Sequence, residues 1–242
     1  MRWIYLSPHF DDAVLSCGGL IFEQARQGIP VEIWTIFAGS PPPGPLSMFA
    51  QATHFLWGTS DGLETVALRK AEDREAAKLV GAKLVHFDFS DCIYRRSPTG
   101  EYLYPESVFD PLHPLDQKLL NRIVRALKPR LRPNDVLVCP LTLGNHVDHV
   151  LVRRAAESVH WPLRYFADVP YLLNDPETLA PAIAAMQDEL FDISEEGLEA
   201  WLAGVAAYKS QVSSLYSGEG TLEGTIRVYW ESRRGVRLWR GR

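Results

Sequence analysis

Apolar residues in this chain fall into short continuous runs separated by longer stretches of helical spacing. Trp3 to Leu6 is the first run. Ser7, Pro8 and His9 follow, and from Ala13 to Gly28 the residues Val14, Leu15, Leu20, Ile21 and Ala25 recur at helical intervals. The pattern reads as strand, tight loop, helix. Val31 to Phe37, opened by Pro30, is continuously apolar and β-branched, as a strand covered on both faces is. Leu63 through Gly81 returns to the helical period with Gly81 placed as a C-terminal cap, and Leu84 to Phe89 is a third strand. Leu115 to Leu131 predicts an amphipathic helix, Val136 to Cys139 a fourth strand, His146 to His160 a helix and Leu163 to Ala167 a fifth strand. From Pro176 onward the period is mostly helical, through Leu179 to Met186 and Glu195 to Leu215, ahead of a strand-like tail at Thr225 to Trp230.

Strands alternating with helices predict an open, mostly parallel α/β sheet with helices on both faces and right-handed crossovers, followed by a helical segment and a short strand tail. Two stretches carry no sustained period. Ala38 to Asp61 is rich in Gly, Pro and Ser, and Ser90 to His113 holds Tyr94, Tyr102 and Tyr104 among prolines and charges. Loops this long usually serve a site. Trp57 and the three tyrosines are read either as sugar-stacking rings or as loop anchors.

The 242 residues predict one domain over 1–242, and 46% apolar with 23% charged residues places the chain among ordinary globular proteins. A net charge of -5 removes the basic field that nonspecific nucleic-acid binding needs. Arg227, Arg233, Arg234, Arg237, Arg240 and Arg242, interleaved with Tyr229, Trp230 and Trp239, form one basic cluster. It reads as a solvated tail or edge strand, with docking to a partner or an anionic lipid as the alternative. No apolar run reaches the roughly 18 residues of a membrane helix, and the first residues lack a signal-peptide pattern, so a cytoplasmic protein is expected. Cys17, Cys92 and Cys139 form no CxxC pair and read as buried small residues in a reducing compartment. The sequence leaves an oligomer open.

Ligand-type side chains gather at two places, His9-Phe10-Asp11-Asp12 past the first strand and His146-Val147-Asp148-His149 past the fourth. In a doubly wound sheet of order 3-2-1-4-5 those strands are neighbours, and the crevice beyond their carboxyl ends is where ligands bind. Alone, an Asp-Asp pair is usually a helix cap and a His-x-x-His a surface accident; two clusters at adjacent strand ends are not. His9, Asp12 and His149 supply two imidazoles and a carboxylate, a common catalytic zinc set. Asp11 is then free as a general base toward water, His146 can stabilise an oxyanion or protonate a leaving amine, and Asp148 can orient a ligand or His146.

The string Ser7-Pro8-His9-Phe10-Asp11-Asp12, with Gly18-Gly19 and then His146-Val147-Asp148-His149, resembles the LmbE-like or PIG-L family of zinc-dependent deacetylases. The resemblance implies a Rossmann-like fold and removal of an acyl group, usually acetyl, from the nitrogen of an amino sugar in a small molecule or glycoconjugate. It implies zinc on His9, Asp12 and His149, a base at Asp11 and an electrostatic or acid role for His146. Weaker echoes lie at Arg69 with Glu72, at Asp91, and at Tyr208-Lys209-Ser210-Gln211; Arg69 and Asp91 are expected to bind sugar hydroxyls or else to serve as a helix-surface pair and a loop cap. Phe10 and Val147 stand where prolines are common. Gly144 stands where some members carry an oxyanion-stabilising tyrosine.

The expected reaction is zinc-dependent hydrolysis of an N-acyl amino sugar. A zinc amidase acting on a larger conjugate, a magnesium phosphohydrolase using Asp11 and Asp12, and a silent metal- or sugar-binding module are the rivals. Two imidazoles disfavour magnesium, and the spare acid and base disfavour a silent module.

Overall fold

The computed structural model describes residues 1–215 and 221–241. Its seven strands are β1 (Trp3–Ser7), β2 (Val31–Thr35), β3 (Lys83–His86), β4 (Val136–Pro140), β5 (Leu163–Phe166), β6 (Met186–Asp192) and β7 (Gly235–Gly241). The helices are α1 (Asp12–Arg26), α2 (Met48–Leu56), α3 (Gly62–Leu79), α4 (Asp116–Leu127), α5 (Val147–Ser158), α6 (Tyr171–Asn174), α7 (Leu179–Ile183), α8 (Glu195–Ala206), α9 (Lys209–Leu215) and α10 (Leu222–Arg233).

The strands form one sheet in the order β3-β2-β1-β4-β5-β7-β6, the first five parallel and the last two antiparallel. The expected 3-2-1-4-5 order therefore holds. Side chains alternate across the sheet as the strand period requires. Trp3, Tyr5, Ile33 and Val138 pack on the face covered by α1, α3 and α8, while Ile4, Leu6, Trp34 and Leu137 pack on the face covered by α4 and α5. Both faces are buried, which is why these strands read as continuous apolar runs. Gly18 lets Trp201 of α8 lie directly on α1, since a Cβ there would stand 2.5 Å from the indole ring. The indole Nε1 donates to the Leu15 carbonyl at 3.1 Å.

Four expectations are corrected. The proline-rich stretch 38–61 contains α2, whose first turn is capped by the Ser47 hydroxyl accepting from the Ala50 amide. Residues 186–192, lying in a stretch read as mostly helical with segments at Leu179 to Met186 and Glu195 to Leu215, are β6. Thr225 to Trp230, read as a strand, lies inside α10, and the strand comes later as β7. β7 is an interior strand between β5 and β6, so Arg237 and Arg240 belong to neither a tail nor an edge strand, and Arg227 lies on α10. Trp230 and Trp239 are buried, and Arg227, Arg234 and Arg237 pair with Glu199, Glu195 and Asp188. Arg242 lies outside the described residues. Among the described residues no helix is long and apolar enough to cross a membrane.

Candidate metal centre and active site

β1 and β4 are neighbours, and the loops leaving their carboxyl ends bring the two sequence clusters together. The first loop turns at once into α1. Asp11 occupies the N-cap position, yet its side chain makes no capping bond; the Ser7 hydroxyl accepts from the Ala13 amide at 3.0 Å instead. Asp11 is thereby released from the structural task its position suggests. Asp12 turns back, one carboxylate oxygen accepting from the His9 amide at 2.7 Å. The second loop is tightly wound, with Thr142, Gly144 and Asn145 all at positive φ, before His146 caps α5 by accepting from the Asp148 amide on Nδ1.

Asp12 lies between two imidazoles, 3.4 Å from His9 Nδ1 and 3.2 Å from His149 Nε2. Each ring is held from behind by a second carboxylate. His9 Nε2 is 3.1 Å from Asp148, and His149 Nδ1 is 2.6 Å from Asp168. Carboxylates in this position orient metal-binding imidazoles and raise their basicity. His9, His146 and His149 bring ligand nitrogens within 4.8 Å of one another, a histidine-rich candidate metal site with carboxylates on its flanks.

Burial opposes a charge on His9, but Asp91, Asp12 and Asp148 outweigh it and hold its pKa well above the usual imidazole value. Burial likewise opposes a charge on His149, and Asp12 and Asp168 overcome it, raising the pKa to about 9. The same contacts hold Asp12 well below the carboxylate range despite its burial. This is a pocket that stabilises concentrated positive charge. His146 differs: burial and the neighbouring His9 and His149 push it well below the ordinary value. With Nδ1 occupied as an acceptor from the Asp148 amide, the ring is left Nε2 as its donor.

Asp11 stands beside this cluster. Burial pushes its carboxyl up to about 6, with Arg69 pulling the other way and Asp12 adding to the rise. Arg69 Nη2 lies 3.7 Å from it, and the guanidinium is sandwiched between Phe10 at 5.0 Å and Trp57 at 4.5 Å. Phe10 thus supports Arg69. Asp91 caps the 3₁₀ turn Cys92–Tyr94 through Ile93 and also faces His9 Nε2 at 3.7 Å, so it has both expected roles open to it.

All eight residues singled out by the sequence meet at one place, seven of them lining a cavity of about 440 Å³ while Asp148 lies behind His9. Trp57 lines that cavity. Tyr94, Tyr102 and Tyr104 are instead tied to His54, Arg96 and Asp116 as loop anchors. Sequence reasoning missed Asp168, immediately after β5, and Arg95, which is buried against Asp148 at 2.6 Å and Asp116 at 3.0 Å. Their signals were a lone carboxylate past a strand and a lone arginine in a loop. It also left two echoes unconnected: Glu72 accepts from the Ser210 amide and hydroxyl, and Asp73 from Tyr208, so α3 holds α9, whose Gln211 and Leu215 form part of the cavity wall.

A family model described as PIG-L, GlcNAc-PI de-N-acetylase, matches residues 4–160. A 2'-N-acetylparomamine deacetylase from Niallia circulans is 26% identical, with 98% of this chain and 93% of that protein covered. The crystal structure of the zinc-inhibited form of teicoplanin deacetylase Orf2 superposes with a TM-score of 0.85 at 26% identity, over 99% of this chain and 97% of the other. That of the A40926 pseudoaglycone deacetylase Dbv21 gives 0.78 at 27% identity, over 98% and 96%.

Proposed function

Because the chain belongs to the GlcNAc-PI de-N-acetylase (PIG-L) family, we propose that residues 1–242 form one zinc-dependent N-deacetylase unit that releases acetate from an N-acetylated amino sugar. The observation that carries the reading is Asp12 placed between His9 and His149, each imidazole backed by its own carboxylate, beside an Asp11 carboxyl relieved of helix capping. Relatives named as deacetylases of 2'-N-acetylparomamine and teicoplanin support it.

His9, Asp12 and His149 are the residues that would hold the zinc. The donor set fits, since nitrogen and carboxylate ligands with outer-shell carboxylates suit zinc. Zinc bound there supplies Lewis acidity toward the amide carbonyl and lowers the pKa of water. Asp11, poised near neutrality, accepts the proton from the attacking water and returns it to the departing amine. His146, with Nδ1 accepting from the Asp148 amide, donates from Nε2 to the oxygen that gains charge as the carbonyl carbon becomes tetrahedral. Arg69 and Asp91, both lining the cavity, bind sugar hydroxyls. Asp148, anchored by Arg95 and the Cys92 amide, fixes the His9 ring. Three free, buried cysteines support a reducing, cytoplasmic setting.

Metal analysis and acetate release measured side by side test this. Wild-type protein should carry about one zinc per chain and lose it in His149→Ala. Asp11→Asn should keep the zinc and lose turnover by about 10²–10⁴-fold. A protein that holds no zinc after reconstitution, or an Asp11→Asn variant with unaltered turnover, overturns the assignment.

A further inference from the structure

Charge in the cavity is confined to its floor. Asp11, Asp12, Arg69, Asp91 and the three histidines are all buried, whereas the rest of the lining is uncharged, with Phe49, Leu56, Trp57, Val108, Phe109 and Leu215 as apolar members beside the exposed polar Asn174 and Ser214. None of those six side chains carries a charge. Leu56 remains 65% exposed and Phe109 54% exposed although both line the cavity. Apolar side chains left exposed on the lining of a polar pocket mark a ligand contact. The two residues come from separate elements. Leu56 ends α2, whose Phe49, Thr53 and Leu56 recur at helical intervals toward the cavity, while Phe109 belongs to the long 90–113 loop. Its ring stands edge-on to His146 at 5.9 Å and to Tyr171 at 6.2 Å.

Size adds a second constraint. About 440 Å³ lies at the small end of the range for small-molecule sites. A cavity of that size holds one amino sugar with its acetamide at the histidines, and what the sugar is attached to on the solvent side meets Leu56 and Phe109, the exposed apolar residues of the lining. Resting on the deacetylase reading, we propose that the amino sugar arrives as a glycoside of a neutral aromatic aglycone, which packs between Leu56 and Phe109. A charged aglycone would lose water there with no counter-charge to meet it. Trp57, the ring best suited to attract a cation, already carries Arg69 on its face. The rings of Phe49, Trp57 and Phe109 instead favour a flat apolar partner in offset or edge-to-face contact.

The test compares 4-nitrophenyl, octyl, methyl and 2-aminoethyl β-glycosides of N-acetylglucosamine, the octyl compound below its micelle-forming concentration. Acetate release and binding by tryptophan fluorescence are measured for zinc-reconstituted wild type, Leu56→Ser, Phe109→Ser and Phe55→Ser. Phe55 is the control: it lies on α2 and is 81% exposed but does not line the cavity. The aryl glycoside should exceed the methyl and aminoethyl glycosides by about tenfold in kcat/KM, equivalent to about 1.4 kcal/mol. That ratio should collapse in both rim variants and persist in Phe55→Ser. Equal kcat/KM for aryl and methyl glycosides overturns the aglycone subsite and leaves the deacetylase reading standing. An octyl glycoside that matches the aryl one overturns the aromatic assignment. Rim-dependent aryl binding without acetate from any glycoside overturns the deacetylase reading and leaves the subsite standing.

Discussion

Asp168→Asn separates metal affinity from folding. Asp168 is 1% exposed, accepts from His149 Nδ1 at 2.6 Å with one oxygen and from the Leu143 amide at 3.1 Å with the other. An amide has one acceptor oxygen and one donor nitrogen, so in either orientation asparagine turns N–H toward N–H at one of the two contacts. The contact to His149 is charge-assisted, and such bonds are worth about 1.5–3 kcal/mol. On the affinity scale that is about 10–100-fold weaker zinc binding, the range typical of residues that orient metal ligands. The metal-free fold should suffer less. Burial pushes the Asp168 carboxyl up, so its charge is held only at a desolvation cost that His149 offsets, and neutral asparagine avoids it. Competition for zinc against a chromogenic chelator, with urea unfolding of both metal-free proteins alongside, resolves the two effects. A folded Asp168→Asn protein whose zinc affinity stays within about twofold of wild type would refute the orienting role.

Gly144→Ala should destabilise the protein by about 1–3 kcal/mol in urea unfolding, because φ is 80° and the new Cβ would stand 2.4 Å from the Tyr171 ring; unchanged stability would mean the loop and ring rearrange freely. Glu72→Ala should speed amide exchange across α9, since it removes both acceptors of Ser210; protection equal to wild type would show that α9 is held by packing alone. Asp135 sits 2.6 Å from Arg2, whose hydrogen bond overcomes burial and holds the carboxyl below its ordinary value. The folded pKa is below the unfolded one, so this contribution is present above the unfolded value of about 3.9 and is lost as pH falls through the folded value. Arg2→Met should therefore flatten the fall in urea midpoint between about pH 5 and 3, and a variant that keeps the wild-type slope would contradict this.

β1, β2 and β4 were legible because both of their faces are almost wholly buried, which leaves an apolar run in the sequence, and the flanking β3 and β5, only partly buried, kept enough of that run to be read. β6 gave no such signal. At the sheet's edge, Asp188 and Glu189 are exposed, and a helical neighbour at Leu179 biased the reading. α10 misled in the opposite sense, since Thr225, Ile226, Val228, Tyr229 and Trp230 favour strands as isolated residues, but the Thr221 cap and burial of Ile226 and Trp230 on α8 and β7 impose a helix. α2 was hidden by the prolines before it. At the site, the histidines and adjacent aspartates declared themselves because ligand-type residues were crowded in sequence. Asp168 and Arg95 act across distances of 19 and 53 residues from their partners, and pairing at that separation leaves no local pattern.

The insertion of β7 between β5 and β6 dictates an order of assembly. β6 pairs with β7 and shares no ladder with β5, touching it through the Arg164–Glu189 ion pair, so until residues 235–241 arrive the β5 edge offers open amides and carbonyls and β6 has no ladder to join. The catalytic half, built on β1 through β5, can form early, yet its flank stays a template for any stray strand. A chain cut before Gly235 would carry every proposed zinc ligand and still be expected to aggregate.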